Sequence, residues 1–455
     1  KWISSPHPRS PSPSTERGPG GEVKSRRNMQ VEEILSQLIQ IKSVNPPGGE
    51  TEVAEYLKGL FDKAGIRNEI IESAPGRGSF IAYLGEGSRR LLFLSHTDVV
   101  PVTPNWDVDP FSGAIKDGQV WGRGALDCKG LVAAEAYAVL QLAQNRASLN
   151  GQLVFAATAD EEVGGAYGVK YLLEHHPEKL QADFAINEGA EAPVKINGKS
   201  VYFVQTGEKG AAWTKLRTKG ISAHGSLPGL GVNAVVKMAS VVERLARYKP
   251  KIVIIPEVKT LIESLARLYG DNRRVTVASV DKILEDLPDR TYMAYLQAIT
   301  RMTISTNYIQ GGVKTNIIPD SCTAEVDIRV LPGQERDSVL NELVKFTDSD
   351  TEIELPDFLG ASFSASSTEG YKVITNTIRD VVGDVICLPS MSSGATDSRF
   401  LRKAGIPSYG IAVMDLGYDP TLQMTVHGRN ERVDIKSLAV QAEFFVKLAQ
   451  DYLGY

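Results

Sequence analysis

Six histidines are spread over 455 residues, and one of them, His96, ends an almost unbroken apolar run in "LLFLSHTDVVP", with Asp98 just beyond it. Acids follow other short apolar runs in the same way: Asp160, Glu161 and Glu162 come after "QLVFAAT", and Glu188 after "DFAIN". Asp127 lies in "VWGRGALDCKG" and His427 in "MTVHGRNE". Two imidazoles and several carboxylates delivered from separate segments suit a borderline metal such as zinc, for which histidine nitrogen and carboxylate oxygen are standard ligands. A metal-bound histidine usually donates its other ring N–H to a second group, and Asp98 is placed to receive it from His96. Adjacent acids in one loop can point to different places, so one of the Glu161–Glu162 pair could ligate while the other takes a proton from water.

Each fragment has a plainer reading as well. His-x-Asp alone commonly makes a structural hydrogen bond, and "DEE" also suits a solvated loop or a helix start stabilised by its dipole. "GRGALD" lacks the third glycine of a dinucleotide fingerprint and precedes no clean βαβ unit. His175 and His176 end an expected helix and fit an interaction with its terminus. His7 is given no role.

The elements that must position these groups alternate in type. Val31, Leu35, Leu38 and Lys42 share one stripe at helical spacing, "SVNPPGGE" breaks that helix, and a second follows over Val53 to Lys63. Continuous apolar runs at "FIAYL", "LLFLS", "QLVFAAT", "DFAIN" and "YGIAV" are the pattern of strands buried on both faces, often parallel. In an open α/β sheet, ligands collect beyond the carboxyl ends of such strands, where the acids and His96 stand. In the middle of the chain, "AAWTKLRTKG" and "TAEVDIRVL" alternate polar with apolar residues, as in a sheet with one wet face. A helix over Val232 to Arg247 and a long insert over Pro250 to Ile309 separate them. The expected fold is therefore α/β: a mixed, mostly parallel sheet layered by helices, carried by 29–204 and 363–455, with an α+β domain inserted over 205–362.

Composition narrows the partners. A net charge of -5, with 42% apolar and 23% charged residues, describes a globular chain without the cationic surplus that nucleic acid or an anionic membrane would select. The Lys- and Arg-rich stretches, such as "RARYKPK", are short. Cys128, Cys322 and Cys387 are far apart and unpaired in any CxxC, which speaks for a reducing compartment and a cytoplasmic location. No apolar run reaches the roughly 18 residues of a membrane span. Residues 1–28, rich in Pro, Ser, Gly and Arg, are expected to be a disordered tail, native or appended, with a cleaved transit peptide as the lesser reading.

Taken in order, "HTDVVP", "GRGALDCKG", "TADEEVGG", "NEG" and a distal histidine make the chain resemble the di-zinc aminoacylase and carboxypeptidase family, which includes acetylornithine deacetylase, succinyl-diaminopimelate desuccinylase, aminoacylase and glutamate carboxypeptidase. The likeness extends to "NWDVDPFSGAIKDGQVWGRG", "GISAHGSLPGLGVNA", "TNIIPDSCTAEVDIRVLPG" and "SSGATDSRF". It implies two divalent metal ions, zinc first and cobalt or manganese as alternatives. His96 and Glu188 would hold one, Glu162 and His427 the other, and Asp127 would bridge both. Glu161 would be the general base, and His224 would polarise the scissile carbonyl, often from the partner subunit. Asn316 and Arg329 would hold a substrate carboxylate, with Gly394, Ala395 and Thr396 lining the same pocket. The resemblance also implies a cis Asp127–Cys128 peptide and a homodimer formed through 205–362.

Two departures stand out. Cys128 follows the bridging position, either competing for metal or staying neutral and buried, with its side chain expected to point away. The insert over Pro250 to Ile309 exceeds that of the compact desuccinylases. The expected activity is metal-dependent hydrolysis of the amide bond of an N-acyl amino acid, with a metallo-carboxypeptidase or dipeptidase as the near alternative. A non-catalytic binding protein of the same fold would require a broken ligand set, and none of these ligands is missing.

Overall fold

The structure is a computed structural model describing residues 29–145 and 149–454, so the expectation for 1–28 lies outside the described residues. At its centre strand Arg90–His96 runs parallel between Gln152–Thr158 and Phe184–Asn187, and Ser408–Ile411 continues the parallel order beside the latter. The flanks are antiparallel: Gly78–Leu84 and then Arg67–Glu72 on one side, Lys199–Glu208 on the other. Ile386–Ser392 rejoins Lys199–Glu208 in parallel. The expected mixed sheet is thus parallel where the acids and His96 are, which brings the carboxyl ends of three adjacent strands to one edge.

Burial on both faces explains the unbroken apolar text of those strands. Leu91 and Phe93 pack toward Val132, Phe444 and Phe445, whereas Leu92 and Leu94 pack toward Val169, Leu172 and Leu401. Successive side chains alternate between faces, so a strand covered by helices on both must be apolar throughout. Helices Val31–Gln40, Glu50–Ala64, Lys129–Gln144, Glu369–Val382 and Ile435–Leu453 supply the first layer, and Val169–His175 with Ser398–Lys403 the second.

A second sheet of five strands is antiparallel, with Ser321–Val330 between Thr214–Lys219 and Thr303–Gly311. Thr214, Leu216 and Thr218 are buried while Lys215, Arg217 and Lys219 are exposed, matching the alternation in the sequence. Helices Ala234–Arg247 and Arg336–Val344 cover the apolar face through Met238, Val241, Leu245, Val339 and Leu343.

The long insert packs elsewhere. Helices Pro256–Leu268, Val280–Glu285 and Arg290–Ala298 bury Leu261, Ile262, Leu265, Ile283 and Leu296 with Val201, Phe203, Leu388 and Met391 of the first sheet. Within 205–362, these helices thus pack on the first sheet, while the five-stranded sheet has its own apolar cluster. These amphipathic helices cover apolar positions near the end of the large sheet, where Lys199–Glu208 and Ile386–Ser392 need a layer of their own.

Candidate active site

His96, the last residue of its strand, is buried, and its ring is held on both nitrogens. Nδ1 lies 2.9 Å from the Asp98 carbonyl oxygen and donates to it, so Nε2 is the nitrogen turned to the acids, 3.1 Å from Asp127 and 3.7 Å from Glu188. The tautomer is thus set mainly by the main chain of Asp98, whose carboxylate stands farther off at 3.4 Å. That carboxylate is occupied by the Asn45 side-chain amide at 2.8 Å and by the N–H groups of Glu161 and Glu162, each at 3.1 Å. Asp98 is therefore less a partner of His96 than the anchor of the acidic turn.

Asp127 joins the two histidines. One carboxylate oxygen faces His96, and the other lies 2.9 Å from His427 Nε2, which is also 3.3 Å from Glu162. His427 adopts a left-handed backbone with φ 57°. The Asp127–Cys128 peptide is cis, as the resemblance implied. Cys128 does not point away: its sulfur lies within 4.8 Å of ligand atoms of His96, Asp127 and Glu188. Both its bonding capacities are spent on the His96 main chain, accepting from the N–H at 3.2 Å and donating to the carbonyl at 3.3 Å, and burial pushes the thiol up.

The cluster crowds acids. Burial and then the neighbouring Glu188 push Glu161 well above the usual carboxylate range, while Glu188 is itself raised by burial. Against the pull of burial, hydrogen bonds from His427 and His96 hold Asp127 low. Hydrogen bonds to Asp127 and Glu162 push His427 up to about 10. A buried excess of negative charge is what bound cations neutralise. The donor set fits such ions: one ligand atom each from Asp127, Glu162 and His427 lies within 4.8 Å of the others, and Glu162 Oε1 is buried with no hydrogen-bond partner.

The remaining expected residues lie in other groups. His224 and Asn316 are neighbours on a small ribbon, where Gly225 N–H donates to the Asn316 carbonyl at 2.8 Å, and both are exposed. His224 Nδ1 is 2.8 Å from the Ser226 hydroxyl. Arg329, on the second sheet, makes a forked contact with Asp327 at 2.7 and 3.1 Å and faces Trp213. Thr396 is buried with its N–H and hydroxyl both donated to Glu208, while Gly394 and Ala395 are half-buried beside it. Among the described residues, no hydrogen bond or ion pair joins His224, Asn316 or Arg329 to the acid cluster.

Most of the chain is similar to known proteins. Residues 92–451 match the model of peptidase family M20/M25/M40. The chain belongs to this family. N-fatty-acyl-amino acid synthase/hydrolase PM20D1 of Xenopus tropicalis is 26% identical over 94% of this chain and 87% of its own length. The probable succinyl-diaminopimelate desuccinylase of Staphylococcus aureus strain MRSA252 is 27% identical over 92% of this chain and 97% of its own. The fold is shared with the M20 family metallo-carboxypeptidase Sso-CP2 from Sulfolobus solfataricus, at TM-score 0.69 and 21% identity, covering 92% and 98% of the two chains. The enzyme class read from the sequence, a metallohydrolase of amide or peptide bonds, is that of the family.

Several residues of this M20 enzyme's site escaped sequence reasoning. Asn45 holds Asp98, and buried Arg77 pairs with Asp160 and, at 3.1 Å, with Glu50. Asp397 is buried with both carboxylate oxygens unpartnered, and burial pushes it up to about 7. Glu431 accepts the N–H groups of Leu126 and Asp127. Asp397 and Glu431 stood inside quoted motifs, but buried and solvated acids look alike in a sequence.

Proposed function

We propose that this M20 enzyme hydrolyses the amide bond of N-acyl amino acids with two divalent cations, most readily zinc. The observation that supports this reading best is Asp127, placed between His96 and His427, with Glu161 and Glu162 on the adjoining turn. His96 and Glu188 would hold one cation, Glu162 and His427 the other, with Asp127 shared. When bound, the cations supply Lewis acidity, which acidifies water and offsets charge developing on a carbonyl oxygen. Glu161 takes the proton of the attacking water and returns it to the leaving amine. Asp98 holds the turn that aims Glu161. His224 donates to the developing oxyanion once the second sheet closes over the site or the partner subunit presents it.

Asn316, Arg329 and the Gly394–Thr396 turn bind the substrate carboxylate, Arg329 exchanging Asp327 for it through the same fork. The division into 29–204, 205–362 and 363–455, with 205–362 as lid and dimer contact, belongs to this proposal. The free edge of Thr303–Gly311, with Tyr308 and Ile309 exposed, supports pairing with a second copy. No helix among the described residues is long and apolar enough to cross a membrane. The unpaired cysteines support a cytoplasmic location.

The test is a metal-supplemented hydrolysis screen of N-acetyl, N-succinyl and longer N-acyl amino acids beside dipeptides and tripeptides. Preferred cleavage of N-acyl amino acids supports the reading. Preference for peptides moves the enzyme to the dipeptidase or carboxypeptidase alternative, with the same chemistry. No hydrolysis by metal-loaded protein leaves a binding protein of this fold.

A further inference from the structure

Two loops that are far apart in the sequence carry Asp127 and His427, and one buried ion pair ties them together. Arg123 and Glu431 are both almost wholly inaccessible and meet at 2.6 Å. The other oxygen of Glu431 accepts the main-chain N–H groups of Leu126 at 2.9 Å and Asp127 at 3.1 Å. The second arm of Arg123 donates to the Gly428 carbonyl at 2.9 Å, next to His427. The Glu431 carbonyl accepts from Gly122 at 2.9 Å, closing the connection at its base. Each side chain thus bonds the main chain of the loop opposite, and the contacts converge beside Asp127 and His427.

We propose that the Arg123–Glu431 pair is a positioning clamp for the second cation site, the one formed by Asp127, Glu162 and His427. His427 needs such a clamp most: its side chain is 53% exposed, against 1% for His96, so packing alone does not fix it. His96 is set by a strand and by the Asp98 main chain, neither of which touches the clamp. The positive charge of Arg123 lies against the buried Glu431 carboxylate, which stands outside both candidate ligand groups. Removing a hydrogen-bonded partner behind a ligand typically weakens metal affinity about 10–100-fold, and here the loss should fall chiefly on the second site, because Asp127 serves both sites whereas His427 serves the second alone.

The clamp rests on the two-cation reading above, and the test separates the two. Metal-free full-length protein is titrated with Zn2+ by calorimetry, and its thermal unfolding is followed in parallel. Wild type should bind about two equivalents, as a two-cation site does. Glu431→Gln keeps the shape but sets its amide N–H groups against either Arg123 or the Leu126 and Asp127 N–H groups; its second equivalent should weaken about 10–100-fold, and its first, which shares Asp127 but not His427, by distinctly less. A merely structural role would instead lower the unfolding temperature and leave both stepwise affinities unchanged, and that result overturns the clamp. Arg123→Lys is the second variant, because an ammonium cannot reproduce the fork that reaches Glu431 and Gly428 together. It should show the same selective loss. Failure of both variants to fold without metal also overturns the proposal, since the pair would then hold the fold and not the site. Wild type that binds fewer than two equivalents defeats the two-cation reading itself.

Discussion

The carboxylate of Asp98 accepts the main-chain N–H of Glu161 at 3.1 Å, so the acid beside His96 also sets the direction of the proposed base. Asp98 does the same for Glu162 and is fully buried, with Asn45 as its third donor. Asp98→Asn replaces one acceptor oxygen by a donor and leaves a buried N–H of the turn unpaired. It should lower metal affinity or turnover by about 10–100-fold, as expected for a group behind the ligands. Wild-type values for both, measured by metal titration and initial rates, would remove Asp98 from the working site.

Glu161→Gln should retain both cations, because Glu161 is not among the proposed ligands. Turnover should fall by at least about 10²–10⁴-fold, the usual worth of general acid–base catalysis. Metal content by elemental analysis and kcat on the same sample check this. A metal-loaded variant with normal turnover would transfer the base to another group.

For His224→Ala the chemical step should slow about 10²–10³-fold, with metal content unchanged, as for a lost oxyanion donor. The exposed position of His224, its ring hydrogen-bonded to Ser226, is the open arrangement that such a role allows. Single-turnover rates decide the matter; a loss below about threefold would reduce His224 to a polar loop residue.

Lys209 stands where the chain crosses from the large sheet to the second one, and it donates to Ala298 and Arg301 carbonyls at 2.7 and 2.9 Å. Burial pushes it down to about 7 from 10.5. Above the folded value the unfolded chain holds the extra proton, so this group makes stability rise with pH between about 7 and 10.5. Lys209→Met lacks that titration and leaves two half-buried carbonyls without this donor. Its stability deficit, read from denaturant unfolding, should therefore widen from pH 7 toward pH 10. A deficit that shrinks over that range would contradict the sign.

Legible along the chain were the main buried strands, the acids at their ends, the layered α/β class and the family. These are local signals: apolar runs mark strands buried on both faces, alternation marks the half-wet second sheet, and the motif order is read along the chain. Pairwise geometry was not legible. That the carbonyl of Asp98 rather than its carboxylate lies closest to His96, that Cys128 turns onto a strand, and that Arg123 reaches Glu431 all depend on where distant segments meet. The helices of the long insert show the same limit. In the sequence the insert is only a long stretch between two alternating strands; that its helices lay an apolar face on Val201, Phe203, Leu388 and Met391 of the first sheet is a matter of tertiary packing. Hydrophobic burial is non-directional, so a sequence states that a face will be covered, and the closed fold alone settles by what.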